Sequence, residues 1–159
     1  MKAAVALPVT VKCRIGVDDQ LPQAVLPDFI ARMRDVGVRR MTIHARKAWL
    51  QGLSPRENRE LPPLDYPLVH RMKQSFPDLH LSVNGGIASL DAVRDHLRAM
   101  DGVMVGRAAY HQPWDILGEA DRLWGEEPRF AGPLEAPRAL RDLVDAHLAQ
   151  GGRLHQATR

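Results

Sequence analysis

Leu81 to Ile87 reads LSVNGGI, and about twenty residues later Gly102 to Tyr110 reads GVMVGRAAY. Each is a short apolar run of β character ending in glycine. The first leads into Ser89, a residue suited to an N-cap, and then into Leu90, Val93, Leu97 and Met100 at helical spacing. The unit is therefore a strand, a tight glycine turn and a helix. Gly85 and Gly86 let the backbone approach a ligand closely, and the unpaired N–H groups of a helix start favour an anion. Two such turns on consecutive parallel strands predict one phosphate held between them, as in (β/α)8 barrels whose phosphate site follows strands seven and eight. A lone NGG would more often simply permit a turn. The pair, with Arg107 directly after Gly106, carries more weight.

The chain upstream repeats the same unit. Val9 to Ile15, VTVKCRI, alternates apolar residues and is stopped by Gly16, so it predicts a strand with Lys12 and Arg14 on one face and Val11 and Cys13 on the other. A helix follows on Val25, Phe29, Ile30, Met33 and Val36, with Gly37 as its C-cap. Val38 to His44, VRRMTIH, is a second strand that ends on a histidine. Asp65 and Pro67 open a helix whose buried stripe is Tyr66, Val69, Met72 and Phe76. His80 to Val83 and Gly102 to Val105 complete four strands. After Pro113 a helix is predicted through Ile116, Leu117, Ala120, Leu123 and Trp124. Residues 125–137, with three prolines, read as a linker, and Leu140, Leu143, Val144 and Leu148 as one more helix closed by Gly151 and Gly152.

The order (βα)4, linker, helical piece predicts an α/β fold with four parallel strands in chain order and a functional edge at their C-terminal ends. At 159 residues the chain is short for a complete barrel of roughly 250. Its 45% hydrophobic and 26% charged residues are ordinary globular proportions. No apolar run approaches the ~20 residues of a membrane span and no secretory signal is visible, so a cytoplasmic location is expected. The single Cys13 excludes an internal disulfide, and no Cys/His spacing suggests a zinc site. The formal charge of +3 permits a polyanionic partner.

The four strand ends carry Lys12 with Arg14, His44 with Arg46, Asn84 with Gly85 and Gly86, and Gly106 with Arg107. Barrel enzymes assemble their sites from such ends. For Lys12 the bland alternative is a structural ion pair, and for His44 a satisfied structural histidine; position at a strand end favours ligand contact for both. Cys13 reads as a packing thiol. Ala45 to Pro63 is long and polar for a strand-to-helix connection, and loops of that length are usually functional. It holds Arg46, Lys47, Arg56 and Arg59, with Trp49 and Leu50 among the charges.

VTVKCRIGVDD, TIHARKAWLQGLSPRENRELPPLDY, VNGGI and MDGVMVGRAAYHQPW closely resemble the tRNA-dihydrouridine synthases, and HARKAWLQGLSPRENR resembles the A subfamily in particular. The resemblance runs from about Pro8 to Trp114 and more weakly to Arg159. It implies the C-terminal half of a TIM (β/α)8 barrel over residues 1–124 that binds FMN, a linker at 125–137, and at 138–159 the start of a truncated helical tRNA-binding domain. It implies an oxidoreductase that reduces uridine to dihydrouridine in the tRNA D-loop with NADPH as reductant. Carried over, Lys12 and His44 lie beside the flavin, and Asn84, Gly85, Gly86, Gly106 and Arg107 hold its phosphate. Arg14, Arg46, Lys47, Arg56 and Arg59 face tRNA.

The family's catalytic cysteine, in an NVGCP-type motif, has no counterpart here. Cys13 sits in VKCRIG and does not inherit the role, so no catalytic residue is assigned and the isolated chain is expected to be inactive. Four open strands predict self-association or pairing with an N-terminal half. The rival readings are another FMN-dependent barrel oxidoreductase, which has no need of so basic a loop, and a non-catalytic RNA- or phosphate-binding remnant.

Overall fold

A computed structural model describes residues 4–157. The chain forms two compact units, Met1–His111 and Gln112–Arg159. In the first, four strands, β1 (Thr10–Arg14), β2 (Arg40–His44), β3 (His80–Asn84) and β4 (Gly102–Met104), alternate with helices α1 (Pro22–Asp35), α2 (Tyr66–Ser75) and α3 (Leu90–Leu97). All pairings are parallel, in the order β1-β2-β3-β4. This is half of a TIM barrel, with strands in the expected order and β1 and β4 at the edges.

The register explains why one face is apolar. Val11, Met41 and Leu81 form one row, and Cys13, Ile43, Val83 and Val103 another. Met41, Ile43, Leu81 and Val83 are at most 2% exposed, together with Leu26 and Ile30 of α1 and Leu68 and Val69 of α2. Period-two alternation hands those side chains to the helical layer, and each fully buried one stabilises the fold by about 1.5–3 kcal/mol. The opposite face carries Lys12, Thr42, Ser82 and Gly102 in one row and Arg14, His44, Asn84 and Met104 in the next. It is polar where the first is apolar.

The helix starts follow local chemistry. The Asp65 carboxylate accepts from the Leu68 N–H and the Ser89 hydroxyl from the Ala92 N–H, so both act as N-caps. Gly37 follows α1 with φ +88, the left-handed conformation that glycine enters freely. Lys73 of α2 pairs with Asp101 at 2.8 Å, and the same carboxylate accepts from the Leu81 N–H, which pins α2 to the entry of β3.

The second unit departs from the expected helix after Pro113. A π-helical turn at Trp114–Gly118 is followed by a 3-10 turn at Ala120–Trp124. The cause is packing: a Cβ on Gly118 would lie 2.6 Å from the Trp114 ring, so the indole lies over the glycine. Between the turns Glu119 leaves helical geometry (φ −110, ψ 3). After α4 (Arg107–His111), which closes the first unit, the remaining helices are α5 (Glu135–Ala139), α6 (Arg141–Ala149) and α7 (Leu154–Ala157). Pro137 falls within the first turn of α5, where its missing N–H costs nothing. Gly151, with φ +83, follows α6 as expected.

Candidate functional site

His44 closes β2 at the C-terminal edge of the polar face, half-buried. Its pKa is pushed down to about 4, first by burial and then by the charges of Arg14, Lys12, Arg46 and Arg107. The imidazole is therefore neutral at pH 7 and ringed by four cations, and no carboxylate is among the groups that shift it. Lys12 has neither hydrogen bond nor ion pair among the described residues. Its ammonium is left available on an exposed strand position.

The glycine turn lies directly against this histidine. A Cβ on Gly85 would come 2.8 Å from the His44 ring, and one on Gly86 would come 2.6 Å from Leu64 Cδ1. Gly85 (φ +111) and Gly86 (φ +68) also hold conformations that side chains resist. Glycine is required twice over at both positions. Gly106 differs: a Cβ there would meet nothing within 4 Å, so its vicinity is open. Asn84 ties the two strand ends together, its Nδ2 donating to the Met104 carbonyl at 2.7 Å. Arg107 Nη1 pairs with Glu60 Oε1 at 3.0 Å.

The basic loop is organised by two of its neighbouring arginines. Arg14 Nη1 donates to the Lys47 and Asn58 carbonyls at 2.7 and 2.8 Å. Burial, then Arg46 and Arg59, lowers its pKa from the usual arginine value. Arg46 is only 9% exposed, and its Nη1 donates to the Glu60 carbonyl at 2.5 Å and to the Pro62 carbonyl. Asn58 clamps the loop internally, accepting from the Trp49 N–H at 2.7 Å and donating to the Trp49 carbonyl at 2.6 Å. Lys47 lies over the Trp49 ring at 4.9 Å. Arg56 stands out, its side chain 83% exposed, and Arg59 is also exposed.

The structure thus gathers His44, Lys12, Asn84, Gly85, Gly86, Gly106 and Arg107 at one edge. Among the loop cations it separates Arg14 and Arg46, which clasp carbonyls, from Lys47, Arg56 and Arg59, which lie nearer solvent. Cys13 is on the other face, lining a cleft of about 490 Å³ with Val25, Leu26 and Phe29. Burial pushes its thiol up to about 11, against a smaller opposing effect of Lys12. Among the described residues no three His, Cys, Asp or Glu side chains form a metal site, and no helix is long and apolar enough to cross a membrane.

Sequence reading did not single out Glu60 or the hydroxyl of Tyr66, which donates to the Gly85 carbonyl at 2.5 Å. Tyr66 stands directly after its helix cap, and that position identifies it as a helix residue, not as a turn partner. Only the packing of α2 against the β3–α3 turn discloses the contact.

Comparison with known proteins agrees with this architecture. The family model described as dihydrouridine synthase (Dus) matches residues 1–153. A tRNA-dihydrouridine(20/20a) synthase of Salmonella typhimurium is 52% identical over 161 residues, covering 100% of this chain and 48% of that protein. The protein of that name from Escherichia coli K12 is 50% identical, covering 100% of this chain and 46% of its own length. The Pseudomonas putida one is 47% identical, covering 100% and 47%. The chain spans about half the length of the curated relatives it matches. It belongs to the dihydrouridine synthase family.

Proposed function

We propose that this chain carries the phosphate-binding half of an FMN-dependent tRNA-dihydrouridine synthase that acts in the cytoplasm with NADPH as reductant. The carrying observation is the ring of Arg14, Lys12, Arg46 and Arg107 around a neutral His44, beside a turn in which both glycines are obligatory. Such a surplus of positive charge at strand ends calls for an anion.

The residues present fit FMN. Gly106 faces open space where a ligand group can approach the backbone, and Gly85 and Gly86 supply a turn without side chains. Arg107 offers a guanidinium to a phosphate, and the unpaired Lys12 ammonium suits the polar edge of the isoalloxazine ring, where a cation stabilises the reduced, anionic form. A neutral His44 can donate or accept one hydrogen bond there without adding charge. FMN bound at this edge would supply the hydride for reduction of a uracil C5=C6 bond. Lys47, Arg56 and Arg59 contribute phosphate contacts to tRNA, while Arg14 and Arg46 hold the loop that presents them. We assign residues 1–124 to flavin binding, 125–137 to a linker and 138–159 to tRNA contact.

Titration of the chain with FMN and with riboflavin, followed by flavin fluorescence, tests the reading. FMN should bind, and more tightly than riboflavin, with the difference falling in Arg107→Ala. Equal affinity for FMN and riboflavin would overturn it, because the phosphate would then contribute nothing.

A further inference from the structure

The Gly85–Gly86 peptide is flanked on both sides by residues without Cβ, each at positive φ. Such a peptide can turn over at little steric cost, because glycine occupies both signs of φ about equally. Turning it over exchanges the directions of its C=O and N–H, and a turn that offers a donor to an anion would then offer an acceptor. Something must select one orientation, and the backbone alone does not.

The selecting contact comes from α2. The Tyr66 hydroxyl donates to the Gly85 carbonyl at 2.5 Å, and the position of a Gly86 Cβ lies only 3.1 Å from the same oxygen. Because the peptide is trans and planar, C=O and N–H point in opposite directions. Holding the Gly85 carbonyl toward Tyr66 therefore aims the Gly86 N–H away from it. Burial raises the Tyr66 pKa against a smaller opposing effect of Arg46, which favours the protonated, donating phenol. Its ring is braced in turn: the His96 ring on α3 lies 4.4 Å away, and His96 Nδ1 meets His70 Nε2 of α2 at 3.1 Å. The histidine pair joins the two helices on either side of the turn.

We propose that Tyr66 is a positioning residue for the phosphate turn, locking the Gly85–Gly86 peptide in the orientation that presents the Gly86 N–H to an anion, with His96 and His70 holding its ring. This rests on the phosphate reading given above. Tyr66 does not touch the ligand; it acts through the peptide it orients.

Tyr66→Phe removes the hydroxyl and keeps the ring against His96, so the fold is retained. One neutral hydrogen bond is lost, which predicts FMN binding about 3–10-fold weaker, while riboflavin, which has no phosphate, binds the variant as it binds the parent. Independently of any flavin, loss of the hydroxyl should shift the Gly85 carbonyl-carbon and Gly86 amide signals in the NMR spectrum of Tyr66→Phe, with the amides of α2 after Leu68 unchanged. An unaltered FMN-to-riboflavin ratio with an unaltered Gly86 amide would overturn the proposal. If the parent chain bound neither flavin, the phosphate reading would fall and the amide measurement alone would decide whether Tyr66 locks the turn.

Discussion

Arg107 Nη1 and Glu60 Oε1 stand 3.0 Å apart, an ion pair that joins the residue after Gly106 to the end of the basic loop. Glu60 is also 3.7 Å from Arg56, so one carboxylate serves two cations. A phosphate seeking Arg107 competes with it. Both partners are about half exposed, so the pair itself is worth little, on the order of 0–1 kcal/mol. Glu60→Gln should leave stability nearly unchanged and strengthen FMN binding by roughly 2–5-fold, as the removed charge no longer opposes the anion. Equal or weaker FMN binding in the variant would show that Glu60 does not compete for Arg107.

The two glycine sites should respond differently to a methyl group. Gly86→Ala must adopt φ +68 and place a Cβ 2.6 Å from Leu64, so a loss of roughly 1–3 kcal/mol in unfolding free energy is expected. Gly106→Ala meets nothing within 4 Å and should unfold like the parent, yet bind FMN more weakly because the methyl occupies the approach to the backbone. Urea unfolding with flavin titration of both variants checks this. Undiminished FMN binding by Gly106→Ala would remove Gly106 from the site.

What could be read from the residues alone follows from which features are local. Period-two strands, the Asp65 and Ser89 caps and the glycine turns are decided within a few residues, so strand order and the polar edge were legible. The hydrogen bonds of Arg14 and Arg46 were not, because a buried arginine and an exposed one look identical in sequence. Their carbonyl partners lie 14 to 44 residues away and become neighbours only through the fold. The break at Glu119 was hidden for the same reason: it comes from the Trp114 indole lying over Gly118, a contact that apolar spacing does not encode.

His44 makes stability depend on pH in one window. Its folded-state pKa is about 4 and its ordinary value 6.5, so between these values the unfolded chain binds more protons. Stability is complete above about pH 6.5 and falls as pH drops toward 4. A shift of that size would correspond to about 3 kcal/mol for a fully buried group, and solvent screening of this half-exposed ring reduces the expected loss to about 1 kcal/mol. His44→Asn should flatten the profile in that window. In an NMR titration the free protein's His44 should have its midpoint well below 6.5, moving upward when inorganic phosphate or FMN supplies the missing negative charge. An ordinary midpoint in the free protein would mean that the cations do not crowd the imidazole.

The last expectation separates the loop's scaffold from its contact surface. Arg46→Ala strips two carbonyls of a charged donor in a nearly buried setting, and hydrogen bonds to charged groups contribute about 1.5–3 kcal/mol. The variant should lose roughly 2–3 kcal/mol of stability and expose the Ala45 to Pro63 loop to protease. Arg56→Ser and Arg59→Ser change exposed side chains and should stay within about 0.5 kcal/mol of the parent. Their effect belongs in RNA binding: each lost phosphate contact should flatten the slope of log K against log salt by roughly 0.7–0.9. Unfolding curves and tRNA titrations at several salt concentrations measure the two effects separately. A stable Arg46→Ala protein with a flattened salt slope would transfer Arg46 from the scaffold to the RNA surface, and an unchanged slope in the Arg56→Ser/Arg59→Ser double variant would make those two residues solvated charge and nothing more.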